Sequence, residues 1–159
     1  ATGIASGELI KRYAAADTDQ DGRLSWGEIE SFQRALYYGY SYKKNETALQ
    51  PDEFFESGGG DCEDWSLVTA GLLRFWGHTS FIGSIRSPDD SQGHAVCLMR
   101  TSEKPRRSFY FHFAESGSFN GTQIDAGYYI PIDYDQVGGL TNAVEPNWNL
   151  KRIYVPESI

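Results

Sequence analysis

Hydrophobic side chains in the first half of the chain recur at intervals of three and four residues, which predicts amphipathic helices. The first helix is expected over Ser6–Ala16 and the second over Trp26–Tyr38. A short helix is expected to begin at Pro51, because proline is favoured in a first turn. The longest helix is expected over Cys62–Trp76, where apolar residues lie nearly all round the axis, and Gly77 should end it.

The second half of the chain has a different pattern, with short β-type segments separated by Gly, Pro, Asn, Asp and Ser. These segments are Phe81–Ile85, His94–Arg100, Ser108–Ala114, Tyr128–Ile132 and Ile153–Val155. Helices followed by antiparallel strands predict an α+β fold rather than a doubly wound parallel sheet. We expect two units, a helix-loop-helix over residues 1–40 and a main domain over residues 41–159.

Composition narrows the class of protein. The chain has 159 residues, 40% of them hydrophobic, which suits one compact domain with a small appendage. The formal net charge of −8 makes the chain a poor nucleic-acid binder, because nothing offsets phosphate repulsion. No apolar run approaches the roughly 18 residues that span a bilayer. The acidic composition, and a start without Met or a signal-peptide pattern, lead us to expect a mature protein that is extracellular, periplasmic or on the cell surface.

The stretch between the first two helices, residues 17–28, matches a calcium-binding hand. Such a loop needs oxygen ligands at positions 1, 3, 5, 7, 9 and 12, and glycine at position 6. Gly22 holds the sixth position, and Ser25 at the ninth suits a bridging water. The expected calcium ligands are Asp17, Asp19, Asp21, the Arg23 carbonyl and Glu28. A mere acidic turn does not explain why Gly22 and Glu28 also fit.

A second acidic stretch begins at Asp133, but it places Val137 and Val144 at ligand positions 5 and 12. We therefore expect no second calcium hand there. A single hand lacks the paired partner of cooperative calcium sensors, which favours a structural role over a switch.

The second chemical motif is a cysteine behind a glycine run. Gly58–Gly60 permits close approach of backbone or substrate, and Cys62 follows in the first turn of the longest predicted helix. A helix N-terminus stabilises a thiolate through its free N–H groups and its dipole. We expect Asp61 to cap this helix, Asp64 to complete a capping box, and the Cys62 N–H to serve an oxyanion hole. From position alone a structural cysteine is favoured, because buried cysteines in helices are common.

A candidate base lies at the start of an apolar strand, where Gly-His-Ala-Val includes His94. If that strand and the next form a regular hairpin turning near Lys104, the residue facing His94 is Ala114 or Glu115. We therefore favour Glu115 as the acid that orients the imidazole, with Asp125 as the other candidate.

The other histidines and the second cysteine have simpler interpretations. His112 is expected to be a strand residue, and His78 a surface or capping residue just past the helix end. Cys97 points away from the strand face of His94 and is expected to pack in the core. We expect Cys62 and Cys97 to be free thiols.

Three features in this order resemble the transglutaminase-like superfamily. They are the run Gly-Gly-Gly-Asp-Cys-Glu-Asp-Trp-Ser, then Gly-His-Ala-Val, then an acid on the next strand. Within it, the chain is most similar to the bacterial and archaeal transglutaminase-like cysteine proteinases, over roughly Asn45 to Asp125. The resemblance implies a papain-like α+β core that catalyses thiol acyl transfer. It further implies that Cys62 is the nucleophile, His94 the base and Glu115 the orienting acid, although the family usually has Asp in this third place.

The sequence thus predicts a calcium-binding cysteine enzyme that acts on protein or peptide amides. Hydrolysis is favoured over protein cross-linking, because water is always present and nothing in the sequence predicts an amine site. The rival hypothesis is a non-catalytic calcium-binding module that recognises a partner. The sequence gives no indication of the oligomeric state.

Overall fold

The computed structural model describes residues 3–44, 49–106, 110–133 and 148–156. Four helices lie in the first half: α1 (Gly3–Ala15), α2 (Trp26–Gly39), α3 (Pro51–Ser57) and α4 (Cys62–Phe75). All four expected helices are confirmed, with ends that shift by a few residues. Two short strands, β1 (Ser41–Tyr42) and β2 (Gly59–Gly60), lie between them. Within the described ranges, every helix is too short or too polar to cross a membrane.

The second half contains the remaining strands. They are β3 (Ser80–Arg86), β4 (Gly93–Thr101), β5 (Phe111–Phe113), β6 (Gly117–Phe119), β7 (Thr122–Ile124), β8 (Gly127–Ile132) and β9 (Asn149–Tyr154). Five of them form an antiparallel sheet in the order β5-β8-β4-β3-β9, while β6 and β7 form a separate hairpin. Helices followed by an antiparallel sheet confirm the α+β class.

The expected neighbour of β4 is wrong. β4 pairs with β3 and β8, with Cys97 opposite Ile132, and β5 pairs only with β8 among the described strands. The connection from β4 to β5 is too long for a tight hairpin. β5 has only three residues and little burial, which suits a sheet edge, whereas β8 is nearly all buried and fits the interior. Residues 108 and 109 of the expected strand lie outside the described ranges.

α4 lies against one face of the sheet. Its buried residues, among them Val68 and Leu72, form one core with Cys97 and Ile132. Val96 and the other apolar residues of the opposite sheet face form a second core. The expectation that Cys97 packs in the core is therefore confirmed, and burial raises the pKa of its thiol above the usual range. Both cysteines are free.

α1 and α2 pack directly on α4 and share its core. Tyr13 and Leu36 belong to the same buried cluster as the α4 residues. The Tyr13 hydroxyl donates to the Val68 carbonyl at 2.9 Å, and the Trp76 indole N–H donates to the Tyr13 carbonyl at 2.8 Å. The loop between α1 and α2 is thereby held close to the body of the fold. The division of the chain near residue 40 stays a prediction.

Candidate active site and acidic loop

Local hydrogen bonds fix the start of α4, where Cys62 is the first residue. Asp61 is the N-cap, and its side chain accepts from the Asp64 N–H at 3.2 Å. The buried Asp64 carboxylate accepts from the Asp61 N–H at 2.9 Å and from the Leu49 N–H at 2.6 Å. The capping box expected from the sequence is confirmed, and it also ties down the segment that leads into α3.

The glycine run leads to Cys62 through a passage that leaves no room for a side chain at Gly59 or Gly60. β1 and β2 pair in parallel, and the Ser41 N–H donates to the Gly58 carbonyl at 2.9 Å. A Cβ at Gly59 would lie only 1.8 Å from the Ser41 carbonyl oxygen, and the Gly59 φ of 153° disfavours other residues. The Trp65 indole donates to the Gly60 carbonyl at 2.9 Å, which anchors β2 to α4.

The structure brings Cys62, His94 and Asp133 together. His94 Nε2 lies 2.6 Å from Asp133 Oδ2, and the Asp133 side chain is only 2% exposed against 20% for His94. Asp133 directly follows β8, and the antiparallel pairing of Ile132 with Cys97 in the middle of β4 makes the chain run on towards the start of β4, where His94 lies. The His94 side chain also hydrogen-bonds Cys62.

The charge state of His94 follows from these contacts. Burial opposes protonation, but the hydrogen bonds and negative charge of Asp133 and Cys62 outweigh it and raise the pKa of His94 to about 10. The imidazole therefore lies between a thiol and a buried carboxylate and is protonated at neutral pH. This arrangement can hold a thiolate beside an imidazolium.

The two acids favoured from the sequence lie elsewhere. Glu115 is exposed in the turn between β5 and β6, and Asp125 is exposed between β7 and β8. Glu115 is not brought to His94, because β5 does not pair with β4. Sequence reasoning considered Asp133 only as the start of a second calcium loop, most of which lies outside the described residues. The signal that could have identified it is an acid directly after a strongly apolar strand.

The remaining histidines have the minor roles expected of them. His112 lies on β5 and stacks on Tyr128 with ring centroids 4.4 Å apart. The His78 N–H donates to the Leu73 carbonyl at 2.9 Å and so closes the C-terminal end of α4. Neither residue contributes to the site around Cys62.

The acidic loop between α1 and α2 brings four carboxylates together. One oxygen from each lies within 4.8 Å of the others, and the four residues are Asp17, Asp19, Asp21 and Glu28. Gly22, with a φ of 80°, makes the sharp turn, and its N–H donates to Asp17 Oδ2 at 2.9 Å. Arg23 follows in the same turn, and its N–H donates to Asp21 Oδ1 at 2.9 Å.

The electrostatics of the loop reflect this crowding. The hydrogen bond with Asp17 raises the pKa of Asp19 to about 6, whereas the Ser25 N–H lowers the pKa of Glu28 to about 2. Asp17 Oδ1 is buried and has no hydrogen-bond partner among the described residues. A buried, unpaired carboxylate oxygen facing other carboxylates fits a hard cation such as Ca²⁺, which binds oxygen ligands.

The described residues thus define an α+β fold with a helix-borne cysteine, a strand-borne histidine and a buried aspartate. This fold is similar to that of LapG from Legionella pneumophila. The EGTA-treated form matches with a TM-score of 0.58 and 16% identity, covering 96% of this chain and 78% of LapG. The calcium-bound form matches with a TM-score of 0.51 and 16% identity, covering 94% of this chain and 71% of LapG. A scan against protein-family models and a search of curated proteins each find no match.

Proposed function

We propose that this chain is a calcium-binding cysteine acyl-transfer enzyme that acts on protein or peptide amides. The observation that carries the proposal is the His94 imidazole between the Cys62 side chain and the buried Asp133 carboxylate, at the start of α4. Cys62 is the nucleophile and His94 the proton carrier. Asp133 takes the orienting role for which the sequence favoured Glu115. The resemblance to transglutaminase-like cysteine proteinases supports the same chemistry.

The first half-reaction forms a thioester. The Cys62 thiolate attacks the amide carbonyl carbon, so that a C–S bond forms and the carbonyl oxygen takes up the negative charge. The Cys62 N–H is at the first position of α4, has no acceptor within the helix, and can donate to this oxyanion. The C–N bond then breaks as His94 gives its proton to the leaving nitrogen.

The second half-reaction releases the acyl group. Neutral His94 takes a proton from water, the water oxygen bonds to the thioester carbon, and the C–S bond breaks to restore the thiolate and the imidazolium. An amine in place of water would give a cross-link. Asp133 holds the ring in one orientation and stabilises its charge in both steps. Hydrolysis is favoured over transfer to an amine because water is always available.

Calcium is assigned to the loop over residues 17–28. Its ligands are Asp17, Asp19, Asp21 and Glu28 through carboxylates and Arg23 through its carbonyl. The convergence of the four carboxylates, the buried Asp17 oxygen and the calcium-bound form of LapG support this assignment. The ion supplies charge that holds the loop together. We place the protein outside the cytoplasm or on the cell surface, where calcium modules work at about 10⁻⁴–10⁻³ M.

The test is to incubate the protein with a mixed protein pool and a primary amine and to analyse the products by mass spectrometry. Wild type should generate new peptide termini, and Cys62→Ala should generate none. Amine attached to glutamine side chains would instead indicate cross-linking. Identical product spectra for wild type and Cys62→Ala would refute the enzyme and leave the non-catalytic calcium module.

A further inference from the structure

α2 contacts the candidate active site through the buried side-chain amide of Gln33. Gln33 lies on α2 and is 1% exposed. Its Nε2 donates to the backbone carbonyl of Asp133 at 3.3 Å, and its Oε1 accepts from the Thr69 hydroxyl at 3.0 Å. Thr69 lies on α4 and is 2% exposed. Gln33 therefore joins α2, α4 and the end of β8 at one point of the core.

Asp133 needs support of this kind because of its place in the sheet. The register of β8 with β4 ends at Ile132, which pairs with Cys97. Asp133 comes directly after that pair. The Gln33 side chain donates a hydrogen bond to the backbone carbonyl of Asp133, and the Asp133 carboxylate contacts His94. Asp133 is therefore held at two points, by Gln33 at its backbone and by His94 at its side chain.

We propose that Gln33 is a positioning residue of the active site, which acts by fixing Asp133 so that its carboxylate meets His94. The inference rests on the proposed function for the roles of Cys62, His94 and Asp133. Thr69 takes part by orienting the Gln33 amide, since its hydroxyl leaves the amide N–H₂ directed at Asp133.

The protonation of His94 reports on this alignment. Among the described residues, the charged or titratable groups that act on His94 are Asp133, at the end of β8, and Cys62, on α4. A less well aligned Asp133 stabilises the imidazolium less, so the pKa of His94 falls. The imidazolium then holds its proton less firmly against transfer to the Cys62 sulfur, so less of the thiolate–imidazolium pair is present and alkylation is slower.

The decisive variant is Gln33→Met, which is similar in length but cannot donate or accept a hydrogen bond. Thr69→Val removes the hydroxyl that orients the amide and that also lies 3.2 Å from the Trp65 carbonyl. Ser80→Ala is the matched control, because the buried Ser80 hydroxyl donates to the Ala70 carbonyl at 3.0 Å, away from Asp133. The rate of Cys62 alkylation by iodoacetamide is measured against pH, and His94 is titrated by NMR. Buried Cys97 serves as an internal reference.

Gln33→Met should slow Cys62 alkylation at neutral pH about tenfold, as substitutions behind a site residue commonly do, and should lower the His94 titration midpoint. Thr69→Val should change both in the same direction by less. Ser80→Ala should change neither. An unchanged pH profile of alkylation in Gln33→Met overturns the proposal, and so does an equal change in Ser80→Ala. If Gln33→Met does not fold, the pH profile of Thr69→Val is judged by the same criterion.

The same data separate this proposal from the proposed function. Wild-type Cys62 that alkylates no faster than an ordinary exposed thiol, with no effect of His94→Ala, would count against the enzyme itself. Fast, His94-dependent alkylation that survives Gln33→Met would count against the role of Gln33 alone.

Discussion

His94 meets two groups that carry negative charge when ionised, and only one of them is fully shielded from solvent. Asp133 is almost completely buried, so its charge acts on the imidazole with little screening by water. Cys62 is partly accessible, as a nucleophile must be. In the proposed mechanism, Asp133 therefore holds the imidazole ring and Cys62 reacts.

Asp133→Asn keeps the shape of the side chain and removes its charge. Peptide cleavage should fall by about two to four orders of magnitude, in line with the loss seen when the aspartate of a serine triad becomes asparagine. The measurement is kcat/KM on a substrate found by mass spectrometry. Glu115→Gln and Asp125→Asn remove the same charge from exposed positions and should keep wild-type rates. A loss in Glu115→Gln equal to that in Asp133→Asn would restore the original assignment.

The raised pKa of His94 also predicts how stability depends on pH. Because the folded pKa of about 10 lies above the ordinary value of 6.5, protonated His94 stabilises the fold fully below about pH 6.5. This contribution declines as pH rises and is lost above about pH 10. Urea unfolding of wild type and Asp133→Asn should therefore show a stability difference that shrinks across this window. A difference that grows with pH would show that His94 is neutral in the folded protein.

At the scale of elements, the sequence predicted what depends on near neighbours along the chain. The capping box of Asp61 and Asp64 and the buried face of α4 follow from residue types at fixed spacing. Strand pairing depends on residues far apart, and spacing alone suggested that β4 and β5 form a hairpin. The choice of Glu115 over Asp125 followed from that pairing. The wrong sheet order therefore affected the expected partner of His94, whereas the predictions for Cys62 and His94 did not depend on it.

The approach to Cys62 depends on β1 passing directly over Gly59. Gly59→Ala would place a Cβ against the Ser41 carbonyl in a strained backbone conformation, so it should destabilise the fold by about 1–3 kcal/mol and slow Cys62 alkylation. Chemical denaturation and alkylation rates are the measurements. Gly7→Ala is the control, since a Cβ there meets no atom within 4 Å and alanine favours a helix. Equal stability of the two variants would mean that β1 moves aside without cost.

In the molecule as a whole, the acidic loop and the cysteine site share one helix. α2 begins at the loop, where the Ser25 N–H donates to Glu28 Oε1 at 2.8 Å, and Gln33 lies little more than one turn after Glu28. The same helix thus carries a proposed calcium ligand at its start and a contact to Asp133 in its middle. The loop and the Asp133 contact are thus joined through a single helix that also belongs to the main core.

Calcium should therefore stabilise the whole fold and not the loop alone. An ion at about 100 times its dissociation constant adds roughly 2.7 kcal/mol, which for this chain length raises Tm by about 5–10 °C. Asp17→Asn should lose this response, and because it relieves repulsion around a buried, unpaired oxygen, it should raise Tm in the presence of a chelator. Asp125→Asn makes the same charge change outside the loop and should keep the full response. The Tm of all three proteins is measured by thermal unfolding in calcium and in EGTA. Equal Tm values for wild type under both conditions would contradict the calcium assignment.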